Sequence, residues 1–171
     1  MAVWRGMSAS DIEGLVRVAD EIHPNLLEGD HVFAERAKLF PDGCLVLVEG
    51  DDDQICGYAV SHPIRHRQLP ALDSLLGDIA PDATQYYIHD VAVVPRLRGR
   101  GLATEGVHRL LALAHRYPTT CLVSVYGTAP FWRRFGFVPE PVDAGLAEKL
   151  RSYGDDATYL SRQNCQDESR A

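Results

Sequence analysis

The stretch Val91-Ala92-Val93-Val94-Pro95-Arg96-Leu97-Arg98-Gly99-Arg100-Gly101-Leu102-Ala103 is the most informative part of this sequence. Its apolar start, which ends in a proline, predicts a buried strand. A turn with three arginines and two glycines follows and leads directly into a segment with helical periodicity. Glycines let a backbone approach a ligand closely, and a helix N-terminus flanked by arginines attracts anions. We therefore predict that this turn binds a phosphorylated ligand.

Two common phosphate-binding motifs do not fit the turn. A dinucleotide-binding fingerprint requires a third glycine where this sequence has Thr104. It also requires an acidic residue about 20 positions further on, and the region Thr119-Thr120-Cys121-Leu122 contains none. A P-loop requires Gly-Lys-Ser/Thr, which this turn lacks. Considered by itself, the turn could also be an arginine-rich surface turn beside an ordinary helix.

Two blocks of the sequence resemble motifs of the GCN5-related N-acetyltransferase (GNAT) superfamily. The run Arg98-x-x-Gly101-x-Ala103, after a strand that ends in Val-x-Pro, is similar to the superfamily's Q/R-x-x-G-x-G/A motif. The second block is Ala129-Pro130-Phe131-Trp132-Arg133-Arg134-Phe135-Gly136-Phe137, which resembles the A…(F/Y)-x-x-x-G-F segment near the end of that fold. The resemblance is strongest over 85–138 and weaker over 1–62. It is absent at 63–84 and beyond about 140.

Strand-like runs and helical patterns are mixed along the chain. They include a predicted hairpin at 44–60 and a strand–helix–strand crossover with its helix at 101–116. We predict an α+β (mixed α/β) fold. The resemblance implies a GNAT-like form of it, a central, mostly antiparallel sheet flanked by helices whose splayed central strands bind acyl-coenzyme A (acyl-CoA). Residues 1–162 would form a single acetyltransferase domain, and 163–171 a polar C-terminal tail.

Two local predictions concern the chain outside the motifs. Ser10 and Glu13 have the spacing of a capping box, which predicts that a helix begins there. The stretch 63–84 contains three prolines and no clean period, so we expect a surface excursion with one helical turn near Leu72–Leu76.

The resemblance implies acetyl-CoA as co-substrate and a primary amine as the usual acceptor. The backbone of the glycine-rich turn would hold the pyrophosphate, and the end of the preceding strand would run along the pantetheine arm. The N–H of Val93 would then face the thioester oxygen, where negative charge develops during attack. The expected cofactor-binding residues are Val91, Ala92, Val93, Arg98, Gly99, Arg100, Gly101, Leu102, Ala103 and Thr104.

His89 is the candidate general base. Several relatives have a glutamate at this position that acts as a base, often through water. An unperturbed imidazole has a pKa of about 6.5, which suits the deprotonation of an ammonium. The alternative is a structural histidine bonded within the sheet. Asp90 would point to the opposite face of a regular strand, where it would orient or support other groups, although a bulge would change that parity.

Tyr126 is the candidate general acid. Many relatives have a tyrosine that protonates the leaving thiolate, but this sequence has Trp132 there, and an indole N–H is too weak an acid. Tyr126 is the nearest substitute in the sequence, unless it only packs beside Gly127. A thiol with a pKa near 8.5 can also leave as the thiolate unaided.

The composition limits the classes of partner that the protein is expected to bind. The chain has 171 residues, 46% of them hydrophobic, and a net charge of −7. This charge argues against electrostatic binding to nucleic acid or to a membrane. No apolar run approaches the roughly 18 residues needed to cross a bilayer, and we see no signal peptide, so a cytoplasmic location is expected. The four cysteines form no CxxC and no zinc-ligand spacing with histidines, so we expect reduced thiols and no metal.

Together these features predict an N-acetyltransferase that moves an acetyl group from acetyl-CoA to a primary amine. Direct attack on the thioester is expected, because no cysteine lies near the motif as an acyl carrier. The alternative is a non-catalytic acyl-CoA-binding sensor or scaffold of the same fold, which Trp132 favours. The acceptor would be a small-molecule or peptide amine, and its identity and the acyl chain length stay open. A homodimer, common in the superfamily, stays open too.

Overall fold

The computed structural model describes residues 1–164, which contain seven strands and five α-helices. The strands are β1 (Ala2–Gly6), β2 (Cys44–Glu49), β3 (Gln54–Ile64), β4 (Gln85–Val93), β5 (Thr119–Ser124), β6 (Val138–Pro139) and β7 (Thr158–Gln163). The helices are α1 (Ile12–Ile22), α2 (Asp30–Leu39), α3 (Leu102–Ala114), α4 (Ala129–Arg133) and α5 (Ala144–Arg151). Short 3-10 turns occupy Ala9–Asp11, Pro41–Gly43 and Pro95–Leu97.

The strands form one sheet in the order β1-β2-β3-β4-β5-β7-β6. Only β4 and β5 pair in parallel, and the other neighbours are antiparallel. The connection from β4 to β5 runs through α3, as a parallel pair requires. The predicted mixed α/β fold, with a mostly antiparallel sheet flanked by helices, is therefore confirmed. Among the described residues, no helix combines the length and the hydropathy needed to cross a membrane.

The two central strands separate halfway along their length. Strand β4 pairs with β5 only from Gln85 opposite Thr119 to Ile88 opposite Leu122. Beyond Ile88, β4 continues beside β3 as far as Val93, and β5 continues beside β7. The edge of β4 that faces β5 therefore has no strand partner over 89–93 among the described residues. This splay agrees with the arrangement that the resemblance implied.

Helix α3 lies at the splay and is held there by β1. Its buried stripe consists of Val107, Leu110, Leu111 and Ala114, with Ala103 at its edge. The indole Nε1 of Trp4 donates to the Leu102 carbonyl at 2.9 Å. Gly106 permits this close packing, since a Cβ there would lie 2.7 Å from Cζ2 of Trp4. These contacts fix the position of the α3 N-terminus relative to the sheet.

The start of α1 differs from the sequence prediction. The Asp11 carboxylate accepts the Ser8 backbone N–H at 2.8 Å, so the reciprocal cap joins Ser8 and Asp11. Arg5 adds two hydrogen bonds to the same carboxylate, at 2.7 and 2.9 Å. The predicted capping box at Ser10 and Glu13 is wrong, because an acidic residue two positions earlier accepts these donors.

The excursion between β3 and β4 contains no helix, so the helical turn expected near Leu72–Leu76 is wrong. The backbone of this segment is held by hydrogen bonds to a distant carboxylate, which hydrophobic periodicity cannot predict. Glu35 accepts the N–H groups of Leu76 and Gly77 at 2.6 and 3.0 Å. Helix α5 was not predicted from the sequence, although Asp143 caps it by accepting the Leu146 N–H at 2.7 Å.

The C-terminal boundary lies further along the chain than expected. Gln163 belongs to β7, and Asn164 is buried. The Asn164 side chain donates to the carbonyls of Ala114 and Tyr117, both at 2.9 Å, and accepts from Thr120. The packed part of the chain thus continues at least to Asn164, two residues past the expected end of the domain at 162. The rest of the predicted polar tail, 165–171, lies outside the described residues.

Candidate active site

The splay between β4 and β5 opens a cleft of about 910 Å³ at the N-terminus of α3. Its walls come from the end of α1, the second half of β4, the arginine–glycine turn, the end of β5, and α4. Every expected cofactor-binding residue lines it except Arg100. The cleft residues from that set are Val91, Ala92, Val93, Arg98, Gly99, Gly101, Leu102, Ala103 and Thr104.

The turn presents free backbone donors to this cleft. Gly101 caps α3 with φ 76° and ψ 9°, in the left-handed region, and Gly99 has φ 80°. A Cβ at either position would meet nothing within 4 Å, so both glycines are required by conformation rather than by crowding. The first N–H groups of a helix have no partner inside it, and they carry partial positive charge. The site is therefore suited to an anion.

Two arginines of the turn, Arg96 and Arg100, do not line the cleft. Arg96 pairs with Glu49 of β2 at 2.7 Å, and this ion pair lowers the pKa of Glu49. Arg98 does line the cleft, so it is the arginine of the turn best placed to contact a bound anion.

A β-bulge interrupts β4 at the start of the splay. Val60 pairs with Asp90 and Ser61 with Ile88, so His89 is the extra residue. In a regular strand, His89 and Asp90 would lie on opposite faces. Here both face the side of α1 and α2, because Phe33 packs edge-on against His89 and against Tyr58, the hydrogen-bond partner of Asp90. The sequence alone leaves this parity open, and the bulge decides it.

The His89 imidazole is buried away from the cleft, and its side chain is only 1% exposed. Its Nε2 lies 2.6 Å from Oε1 of Glu28, and its Nδ1 has no hydrogen-bond partner within the part of the chain that the structure describes. The other oxygen of Glu28 accepts the Asp73 N–H at 3.0 Å. Burial raises the pKa of Glu28, but the interactions with His89 and with the Asp73 N–H together lower it below its usual value. Only the backbone of the bulge therefore faces a ligand, and the imidazole joins β4 to the 63–84 excursion.

Asp90 lies at the cleft and has two partners. Its Oδ2 accepts the Tyr58 hydroxyl at 2.5 Å and lies 2.9 Å from Nε2 of His23. Burial raises the pKa of Asp90, but the interactions with His23 and Tyr58 outweigh it and lower the pKa below its usual value. Burial and the neighbouring carboxylate raise the pKa of Tyr58 far above its usual value. Asp90 is thus held as a carboxylate, and Tyr58 as a neutral donor.

His23 ends α1 and forms a wall of the cleft. Burial lowers the pKa of its imidazole, yet the interactions with the Asp90 and Glu28 carboxylates together raise it above the usual value. In the sequence, His23 stands out only as the residue before Pro24, where a helix would stop. No local signal connects it with Asp90, which lies 67 positions further on.

Tyr126 lies at the mouth of the same cleft. Its ring stacks on His23, with centroids 5.5 Å apart and planes at 14°. It is 47% exposed, and its φ of 55° is unusual for a residue with a side chain. Trp132, in contrast, is 7% exposed and packs edge-on against Phe131 and Phe137. Tyr126 is therefore the tyrosine that the fold presents to the cleft.

Comparisons with solved structures agree with the fold. The loading GNATL domain of CurA from Lyngbya majuscula has a TM-score of 0.74 at 15% identity, covering 95% of this chain and 98% of that one. Ard1 from Thermoplasma volcanium has a TM-score of 0.70 at 16% identity, covering 96% and 99%. Arabidopsis thaliana Naa50, solved with the bisubstrate analogue CoA-Ac-MVNAL, has a TM-score of 0.67 at 12% identity, covering 95% and 98%.

Among curated proteins, none matches this sequence. The family model described as the Acetyltransferase (GNAT) family matches residues 13–137, from α1 to the segment that follows α4. This match spans most of the chain and includes both motifs, the splayed strands and the cleft between them. The chain therefore belongs to the Acetyltransferase (GNAT) family.

Proposed function

We propose that this protein is an acetyl-CoA-dependent N-acetyltransferase that transfers an acetyl group to a primary amine by direct attack on the thioester. One observation carries the proposal: the splay between β4 and β5 opens onto the glycine-capped N-terminus of α3. Family membership supports acyltransferase chemistry. The Naa50 structure, solved with the bisubstrate analogue CoA-Ac-MVNAL, supports an amine acceptor.

The residues present fit an acyl-CoA. The free N–H groups at the start of α3 would take the pyrophosphate, with Arg98 beside them. The unpaired edge of β4 would hold the pantetheine arm as a neighbouring strand would. The backbone N–H of Val94 donates to the carbonyl oxygen of Cys56 on β3 at 2.9 Å. Because alternate residues of a strand direct their N–H groups to opposite sides, the N–H of Val93 faces the cleft, where it would stabilise a thioester oxyanion.

The charges near the bulge favour a cationic acceptor. Glu28 and Asp90 both have lowered pKa values and carry negative charge at neutral pH. Of the two, Asp90 lines the cleft and has a side chain that is 22% exposed. A carboxylate in this position would attract an ammonium group and hold its nitrogen near the thioester.

The general acid is proposed to be Tyr126. Burial and the nearby Asp90 raise the pKa of its hydroxyl above the usual value, so the hydroxyl stays protonated and available as a donor. His89, the base expected from the sequence, is less well placed. Its imidazole is buried and bonded to Glu28, so it has no open path to an amine in the cleft.

A direct assay tests the proposal. We would measure thiol release from acetyl-CoA with a panel of polyamines, amino acids, peptides with free N-termini and lysine derivatives. In parallel we would measure coenzyme binding by calorimetry for Gly101→Glu and for Gly50→Glu. Gly50 is a matched control because it has φ 77° and open space around it, as Gly101 does, but lies in the β2–β3 turn.

We expect turnover with one class of amine, and loss of both binding and turnover in Gly101→Glu but not in Gly50→Glu. Coenzyme binding without turnover on any amine would instead support the non-catalytic sensor or scaffold. An absence of coenzyme binding by the wild-type protein would contradict both functions.

A further inference from the structure

Four side chains from four different segments meet beside the bulge, and three of them, His23, Asp90 and Tyr126, line the cleft. Asp90 belongs to β4, Tyr58 to β3, His23 to the end of α1, and Tyr126 follows β5. Tyr58 and His23 both contact Oδ2 of Asp90, at 2.5 and 2.9 Å, and Tyr126 stacks on His23. The chain thus brings together a carboxylate, an imidazole and two phenols at the ligand-facing end of the splay.

This arrangement leaves one carboxylate oxygen for a ligand. Both protein contacts of Asp90 are made to Oδ2, while the side chain lines the cleft and is partly exposed. Oδ1 is therefore the atom that an incoming ammonium would meet. Tyr58 lies opposite Ala92 in the β3–β4 ladder and is buried, so its hydroxyl holds the carboxylate in one orientation.

We propose that the His23–Asp90 pair is the proton acceptor for the acceptor amine, with Asp90 meeting the ammonium, the His23 imidazole holding the proton, and Tyr58 as a positioning residue. This inference rests on the proposed function and names the base that it requires. A coupled pair of this kind takes up a proton as a unit, so its protonation belongs to both residues. A carboxylate alone is a weak base near neutral pH, whereas an imidazole can hold a proton there.

The proposed reaction moves two protons away from the acceptor nitrogen. The pair begins with a negative Asp90 and a neutral His23, which together carry one negative charge. The ammonium, held at Oδ1, gives one proton to the pair, which carries it as the His23 imidazolium beside the Asp90 carboxylate, and the neutral nitrogen attacks the thioester carbon. The C–N bond forms and the C–S bond breaks, while the second N–H proton reaches the departing sulfur by way of Tyr126. The pair then releases its proton to water, so the products are the amide, the thiol and one proton.

Four charged or titratable groups face the imidazole of His23. Asp90 and Glu28 favour its protonated form, whereas Arg98 opposes it. The Tyr126 ring covers one face. Because the carboxylates outweigh burial and Arg98, the pair should titrate above the usual pH of a histidine, and amide formation should fall as the pH drops below that point.

The test uses rate–pH profiles of the full chain with the best amine. Asp90→Asn and His23→Gln remove one partner each, and Tyr58→Phe removes only the positioning hydroxyl. His108→Gln, an exposed residue on α3, is the control. We expect the first two variants to lower kcat by about 100-fold or more, with the acid limb of the profile moved to lower pH. Tyr58→Phe should lower kcat less, and His108→Gln should change neither.

A titration of the His23 imidazole by NMR provides a second readout that does not depend on turnover. Its pKa should lie above 6.5 in the wild type and fall in Asp90→Asn. Wild-type rates and an unmoved acid limb in both His23→Gln and Asp90→Asn would overturn the inference. So would a His23 pKa that Asp90→Asn does not lower, even if these variants fold too poorly to assay. If the wild type acetylates no amine, the proposed function itself fails, and the wild-type assay shows this separately from the variants.

Discussion

Replacing Asp11 with asparagine tests how α1 begins. The start of α1 matters for the site because His23, which directly follows α1, lines the cleft. The Asp11 side chain is 7% exposed and accepts hydrogen bonds from Arg5 and Ser8. The bond from Arg5 is the largest cause that lowers the pKa of Asp11, from 3.8 to about 2. This difference corresponds to about 2 kcal/mol of stability at neutral pH.

The sign of the pH dependence follows from the direction of the shift. The folded protein binds the Asp11 proton more weakly than the unfolded chain does. The contribution is therefore complete well above pH 3.8 and is lost as the pH falls through about 2. Roughly half of it should remain at pH 3. Asp11→Asn should thus cost about 2 kcal/mol at pH 7 and about 1 kcal/mol at pH 3.

The assay is urea unfolding, followed by circular dichroism, of the wild type and the variant at pH 7 and pH 3. Glu13→Gln is the matched control, because Glu13 is the capping residue that the sequence suggested and its side chain is 92% exposed. That variant should change stability by less than about 0.5 kcal/mol. Equal losses for Asp11→Asn at both pH values, or a larger loss for Glu13→Gln, would refute the reasoning.

Two further predictions concern the packing and burial of residues outside the cleft. Gly106→Ala should destabilise the protein by about 1 kcal/mol in urea unfolding, because its Cβ would lie 2.7 Å from Trp4. Gly145→Ala on α5, where a Cβ would make only an ordinary van der Waals contact, should stabilise the protein by up to about 1 kcal/mol. A change in unfolding free energy of the same sign for both variants would contradict this prediction. Burial raises the pKa of Cys44 and of Cys121 to about 12. Iodoacetamide at pH 8 should therefore leave both unmodified until urea is added, as peptide mass spectrometry would show, and labelling of either in the folded protein would contradict their burial.

Much of the fold follows from local sequence. The apolar run before Pro95, the turn with Gly99 and Gly101, and the periodic stripe of α3 each act over a few residues, and the structure agrees with them. The three cysteines within the described residues are buried and carry free thiols. The start of α1 could not be fixed in this way, because Ser8 and Ser10 both have a suitable acidic partner three positions later, and Arg5 favours the first.

The sequence by itself determined the candidate ligand site, since a strand, a glycine turn and a helix N-terminus are consecutive in the chain. The tertiary structure alone decided which side chains line the cleft beside it. The bulge at His89 depends on pairing with β3, and it turns Asp90 towards a histidine from α1 while it buries the imidazole that the sequence favoured. Proton-transfer groups act through distances of about 3 Å. Only the folded chain sets such distances between residues as far apart in sequence as His23 and Asp90.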